Sequence, residues 1–352
     1  VSALLDASPA PQHAGPVISV DGLRIWYGSP RGPVKAVDDV DLVINAGESV
    51  GLVGESGCGK STLGRGLLGL LPEGARMTGK ALLRGEDVVA LPPDRLRAMR
   101  GSELGLVFQE PMTRLNPLMR VSDHFDELLR THEPSLSKAQ REERALEALR
   151  ATGIPPSRHK QFPHEFSGGM RQRIMIALTL VLKPALIVAD EPTTALDVLV
   201  EAQVLALLSD LRKTSDTALL LITHNLGIVA EACDRVAVMY AGKIVEQGDA
   251  RQVFNDPAHP YTRSLLASTI SLETTELTSI PGAPPDLANP PTGCRFHPRC
   301  PDAMQVCPAR DPGDAVAEGG QRVSCWLHRL DELSAADRAP LQREEISVAD
   351  EA

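Results

Sequence analysis

Apolar and polar side chains alternate through VISVDGLRIWYG at residues 17–28, the two-residue period of a half-buried strand. AVDDVDLVINAGESVGLVG, residues 36–54, predicts further strands broken by a turn at Asn45–Gly47. The period then changes, and TLGRGLLGLL gives a short helix with one apolar face, closed by Pro72 and Gly74. A second strand-rich passage, ALLRGEDVVALP, leads through a charged helical stretch at 94–100 to the short strand LGLVFQE. Between Pro117 and Leu182 helical periodicity dominates, most clearly in HFDELLR and KAQREERALEALRATG. The β pattern resumes in LIVADEP and ALLLITH, with a helix rich in Leu, Val and Ala between them.

Strand, long helical insertion and strand again thus outline the first 250 residues. Residues 1–16, rich in Ala and Pro, read as a flexible leader. Beyond Gly248 the composition shifts: after a helical segment to about Leu272 the chain runs IPGAPPDLANPPTGCRFHPRCPD. Its density of Pro and Gly leaves no room for long regular elements, and something other than a conventional apolar core is expected to organise it. The closing HRLDELSAADRAPLQREEISVADEA reads as a solvated helix or tail.

With 352 residues the chain can bury a large α/β core and a smaller second unit without disulfides. A net charge of -10 argues against wrapping a nucleic-acid backbone, so no nucleic-acid partner is expected. It leaves a nucleotide possible, because one lysine, a magnesium ion and converging amides can hold a triphosphate locally. No stretch reaches the roughly 18 uninterrupted apolar residues that span a bilayer. The longest candidate, Ile174 to Val188, is broken by Lys183 and Pro184. The N-terminus shows no secretion-type pattern, so a soluble intracellular chain is expected, with docking onto a membrane complex left open.

GESGCGKS, Gly54–Ser61, matches the phosphate-loop pattern G-x-x-x-x-G-K-S in full and lies between an apolar strand and a helix. Gly54, Gly57 and Gly59, with Ser56 and Cys58 between them, let the backbone turn its N–H groups around phosphate oxygens. Lys60 is expected at the β- and γ-phosphates, Ser61 on magnesium, and Thr62 as the next phosphate contact. Cys58 reads as a permissive small residue, since a catalytic thiol needs a base that the sequence does not identify. In LIVADEP, Asp190 and Glu191 end an apolar strand, where adjacent carboxylates are costly without an ion or donors. Asp190 is placed to hold magnesium through a water, and Glu191 to polarise the water that attacks the γ-phosphate of ATP. Tyr27 offers a flat ring for adenine ahead of the loop, with Trp26 its rival and a buried strand aromatic the plainer reading.

Further motifs carry a family resemblance. EFSGGMRQR, Glu165–Arg173, resembles the signature of ATP-binding cassette proteins, with Phe166 and Met170 in place of the commoner Leu and Gln. Gln109 in VFQEP, Ala195–Leu196–Asp197 and His224 in LITHN match the same family, and the resemblance covers Val17 to about Gly248. It implies an α/β fold: a P-loop NTPase core of the cassette type with an antiparallel β subdomain, an inserted helical subdomain at about 112–182, and a small irregular C-terminal domain over 251–352. It further implies that Ser167, Gly168, Gly169 and Met170 face the phosphate loop of another nucleotide-binding domain. Gln109 would sense the γ-phosphate and magnesium, His224 would hold the γ-phosphate and Glu191, and Asp197 would serve communication across the dimer.

LPEGARMTGKALLRGEDV, FQEPMTRLNPLM, HPYTRSLL and PPTGCRFHPRCPDAMQVC resemble the oligopeptide/dipeptide importer branch. That resemblance implies an ATPase on the cytoplasmic side of the cell membrane. Its partners would be two transmembrane permease subunits, a second related ATPase and an extracytoplasmic solute-binding protein. A nickel or other small-solute importer is the alternative, and a DNA-associated or regulatory cassette protein the alternative from another class.

Cys294, Cys300, Cys307 and Cys325 follow the spacing C-x5-C-x6-C-x17-C, which matches neither close zinc pairs nor the usual ferredoxin run. Four thiolates on a metal could stabilise a Pro-rich segment. The resemblance favours a [4Fe–4S] cluster, with zinc or free thiols as the other readings. His259 and His297 are not needed to complete four ligands, and HPYT is expected to dock the extension onto the motor domain.

Overall fold

The computed structural model describes residues 15–107, 115–192, 201, 216–268 and 279–341. The first alternating segments form β1 (Pro16–Tyr27) and β2 (Val34–Asn45), which pair antiparallel. With β4 (Arg76–Leu83) and β5 (Glu86–Asp87) they make a four-stranded sheet in the order β2-β1-β4-β5. The strand-rich passage at residues 81–92 contributes the end of β4 and the two-residue β5, because Arg84 and Gly85 both take positive φ (46° and 90°) and turn Glu86 back against Leu83.

The second sheet holds β3 (Ser49–Val53), β6 (Leu104–Val107), β7 (Leu186–Asp190) and β8 (Ala218–Ile222), continued by β9 (Arg235–Tyr240) and β10 (Lys243–Asp249). Its order is β11-β12-β10-β9-β3-β8-β7-β6, where β11 is Ala315–Val316 and β12 is Arg322–Val323. From β9 to β6 the neighbours are parallel. Every residue of β3, β7 and β8 is buried, which is why these strands read as unbroken apolar runs rather than alternating ones. Helix α1 (Lys60–Leu67) packs Leu63 and Leu67 into the core between the two sheets.

After α2 (Pro93–Ser102), the helical region contains α3 (Val121–His132), α4 (Lys138–Ala151) and α5 (Gly168–Leu180). Phe125, Leu129, Leu149 and Ile174 form its centre, each fully buried. Ser137 starts α4 through a reciprocal pair: its hydroxyl accepts from Gln140 N (3.4 Å), and Gln140 Oε1 accepts from Ser137 N (2.9 Å).

The C-terminal extension departs from the expectation of a unit without an apolar core. Phe296 meets Tyr240 of β9 and Tyr261 of the helix Pro260–Ala267, with ring centroids 5.2 and 5.3 Å apart. β12 pairs antiparallel with β10 and so extends the main sheet. Aromatic burial of this kind contributes free energy that a Pro-rich backbone cannot supply through regular hydrogen bonding. Among the described residues no helix is long and apolar enough to cross a membrane.

Candidate functional site

Strands β3, β8 and β7 are parallel neighbours, so their C-terminal ends open at one edge of the sheet. Gly54 follows β3, His224 follows β8 by two residues, and Asp190 closes β7, where it pairs in register with Ile222. Such an edge is where open α/β sheets bind ligands.

The phosphate loop curls back between these ends. Gly54 (φ 149°) and Gly59 (φ 112°) occupy backbone conformations that L side chains rarely adopt. A Cβ there would lie 2.1 Å from Met239 O and 2.0 Å from Ala36 O respectively, so both positions require glycine twice over. Gly57 and Ser56 form the exposed tip. Lys60 is buried and its Nζ donates to Gly54 O (2.7 Å) and Glu55 O (2.9 Å), which places the ammonium inside the curl. Burial pushes the Cys58 thiol above its ordinary value, with Lys60 partly opposing the shift; this suits a small packing residue rather than a nucleophile.

Ser61 Oγ donates to Asp190 Oδ1 at 2.7 Å, so the hydroxyl that opens α1 and the carboxylate that closes β7 meet at one point. Arg65, one turn beyond Ser61 on α1, approaches Asp190 Oδ2 at 3.7 Å. Sequence reasoning did not single out Arg65, although its i, i+4 spacing from Ser61 puts it on the same helix face. Glu191 has φ 47° and donates its N–H to Ile222 O at 2.8 Å. A glutamate in this sparsely populated region marks stored backbone strain next to the site. His224 Nδ1 lies 3.4 Å from Glu191 Oε1 and must carry the proton for that contact to be a hydrogen bond, since an ionised carboxylate only accepts.

Tyr27 is half-buried and donates its hydroxyl to Thr62 Oγ1 at 3.2 Å, beside the loop. Trp26 instead donates to Asp38 Oδ1 at 3.2 Å. The residues Ser167–Met170 stand apart from this group at the start of α5. There Ser167 caps the helix through Met170 N (3.4 Å), while Ser167 and Gly168 are exposed. Gln109 and Asp197 lie outside the described residues.

In the extension, Cys294, Cys300, Cys307 and Cys325 border a single cavity together with His259 and His297. Burial raises the Cys294 and Cys307 thiols and pushes Cys325 up to about 12, and neighbouring cysteines add to the shifts of Cys294 and Cys325. Holding these sulfurs as thiolates therefore requires positive charge nearby. Among the described residues no group of three or more His, Cys, Asp or Glu is close enough to hold a metal ion, so the arrangement of these side chains supports neither the zinc nor the expected [4Fe–4S] reading. His297 Nδ1 sits 2.8 Å from Cys294 O, and His259 Nδ1 accepts from Tyr261 N at 2.9 Å. Tyr261 in turn accepts from Glu55 N (2.9 Å), so the HPY segment reaches the phosphate loop itself.

Residues 37–194 match the ABC transporter family, and residues 245–307 match the oligopeptide/dipeptide transporter C-terminal region. The oligopeptide transport ATP-binding protein OppD of Salmonella typhimurium is 46% identical over 321 residues, covering 90% of this chain and 96% of that protein. The dipeptide transport ATP-binding protein DppD of Bacillus subtilis is 45% identical over 317 residues, covering 88% and 94%. Among solved structures, the dimeric post-hydrolysis state of the ATP-binding cassette MJ0796 bound to ADP and Pi superposes with a TM-score of 0.60 at 27% identity. It covers 66% of this chain and 99% of that one.

Proposed function

The chain belongs to the ABC-transporter ATPases of the oligopeptide/dipeptide importer family, and from that premise we propose that it hydrolyses ATP to drive uptake of oligopeptides or dipeptides. The observation that carries the ATPase reading is the Ser61–Asp190 contact at 2.7 Å with Glu191 and His224 beside it. Loop amides and Lys60 bind the polyphosphate, and Ser61 with Asp190 would hold magnesium. That ion, when bound, would neutralise developing charge on the phosphate. Glu191 orients and polarises the attacking water, and His224 fixes the Glu191 carboxylate. Catalysis is positioning and charge stabilisation, with no covalent enzyme intermediate.

Exposed Ser167 and Gly168 at the N-terminus of α5 suit a donor set for a phosphate bound by a second ATPase. An apolar groove lined by Leu70, Leu106, Leu128 and Leu178 lies between the segment that follows α1, the end of α2, β6 and the inserted helices. It suits a cytoplasmic loop of a permease subunit, which would place the chain peripherally on the inner membrane face. A related ATPase, two permeases and an extracytoplasmic binding protein complete the complex.

The four cysteines of the extension are assigned to an iron–sulfur cluster of the [4Fe–4S] type. Support comes from their number and the cavity they share; in such a cluster each thiolate would hold one iron. Such a group would supply folding energy to the extension. Reconstitution with the permeases, a partner ATPase and a peptide-loaded binding protein tests the function. ATP-dependent accumulation of peptide supports it, and ATP turnover unaffected by peptide-loaded binding protein contradicts it.

A further inference from the structure

Glu55, the second residue of the phosphate loop, is gripped at three points. Its carbonyl accepts from Lys60 Nζ (2.9 Å), its amide donates to the Tyr261 hydroxyl (2.9 Å), and its carboxylate takes both arms of a guanidinium. That guanidinium belongs to Arg299, 244 residues further along: Nη1 donates to Oε2 at 2.7 Å and Nη2 to Oε1 at 2.9 Å. Arg299 is almost fully buried, at 6% exposure. Its Nε donates to Pro281 O at 2.8 Å, and Nη1 also reaches the Tyr240 hydroxyl at 3.3 Å. A fork fixed on several sides loses little freedom in holding a carboxylate, and lysine cannot reproduce its two parallel bonds.

We propose that Arg299 is a positioning residue for ATP, holding the phosphate loop in its binding shape through Glu55. This rests on the reading of Gly54–Ser61 as the nucleotide loop. A carboxylate next to a polyphosphate repels it, and a freed Glu55 side chain competes with phosphate for Lys60. The bidentate pair neutralises that charge and fixes it away from the ammonium. Arg295 adds a second strut from the same short segment, pairing with Asp38 and donating to Ala241 O, while Gly242 N donates to Cys58 O at 2.9 Å. The C-terminal extension is thereby part of the nucleotide site, not an appendage to it.

The test is equilibrium Mg–ATP binding to the full chain, with KM and kcat from the reconstituted importer. Arg299→Gln is expected to weaken binding and raise KM about tenfold while kcat changes less than about twofold. In a Glu55→Gln background the same substitution is expected to cost less than about twofold, because the carboxylate to be neutralised is gone. A merely structural arginine would cost the same in both backgrounds, and that result, or wild-type affinity in Arg299→Gln, overturns the proposal. Should Arg299→Gln fail to fold, Arg299→Lys keeps the charge without the fork; about threefold weaker binding supports the proposal and unchanged binding overturns it. Lys60→Ala separates the two readings. If it binds Mg–ATP like the wild type, the nucleotide loop itself is misassigned; if it loses binding while Arg299→Gln does not, only the positioning role fails.

Discussion

Ser61 and Asp190 are separated by 129 residues and joined by a 2.7 Å hydrogen bond, which ties the first turn of α1 to the end of β7. Removing either partner should leave the fold intact, because the contact lies at the mouth of the sheet rather than in its core. Asp190→Asn is expected to weaken the magnesium dependence of ATP binding by about tenfold or more. Titrating magnesium at fixed ATP checks it, and an unchanged magnesium midpoint contradicts the role given to Asp190.

Glu191→Gln keeps the size of the side chain and removes its charge. Hydrolysis at this chain's site should fall by about 10²- to 10⁴-fold while Mg–ATP affinity stays within about threefold. Single-turnover measurements on the assembled complex distinguish this from a binding defect.

Ser167→Arg places bulk and charge on the exposed start of α5. Binding of ATP to the isolated chain should be unaltered, whereas turnover in the assembled complex should drop by about a hundredfold if this edge serves the partner's nucleotide. Equal turnover in the complex would mean that this surface does not face a phosphate.

Cys58 should resist alkylation at neutral pH. Its folded pKa lies above the ordinary 9.0, so the thiolate fraction at pH 7 stays below about one per cent, and the side chain is buried. Peptide mass spectrometry after iodoacetamide treatment at pH 7.5 should find Cys58 essentially unmodified, with labelling increasing only under alkaline conditions. Stoichiometric labelling at pH 7.5 would show a more open loop.

Glu48 is 1% exposed and pairs with Arg235 at 2.9 Å, while its other oxygen accepts from Asn45 N (2.7 Å) and Nδ2 (2.9 Å). Arg235→Ala leaves that buried carboxylate with the asparagine alone. A loss of roughly 2 kcal/mol is expected, less than for a fully buried pair because Arg235 is partly exposed. Urea denaturation at pH 7 measures it.

The phosphate loop and the acidic pair were legible in the sequence because each is a short motif at the end of a strongly apolar strand, whereas His224 came only with the family resemblance. Helices α3 and α4 were legible from their periodicity. The Arg299–Glu55 pair was not, since a single arginine in a Pro-rich segment carries no periodic signal and its partner is brought to it only by tertiary folding. β11 and β12 were equally hidden, as two residues cannot show alternation: β12 is a strand only through its pairing with β10, and β11 only through its pairing with β12. The extension's aromatic core escaped notice because Tyr240, Tyr261 and Phe296 are dispersed along the chain.

The central claim is that this chain's own loop and acids bind Mg–ATP for hydrolysis. Calorimetric titration of Mg–ATP into the Glu191→Gln chain, beside one that also carries Lys60→Ala, tests it most directly. One nucleotide bound per chain by the first, and affinity weaker by about tenfold or more in the second, is the expected result. No binding by the first, or equal binding by both, would contradict it.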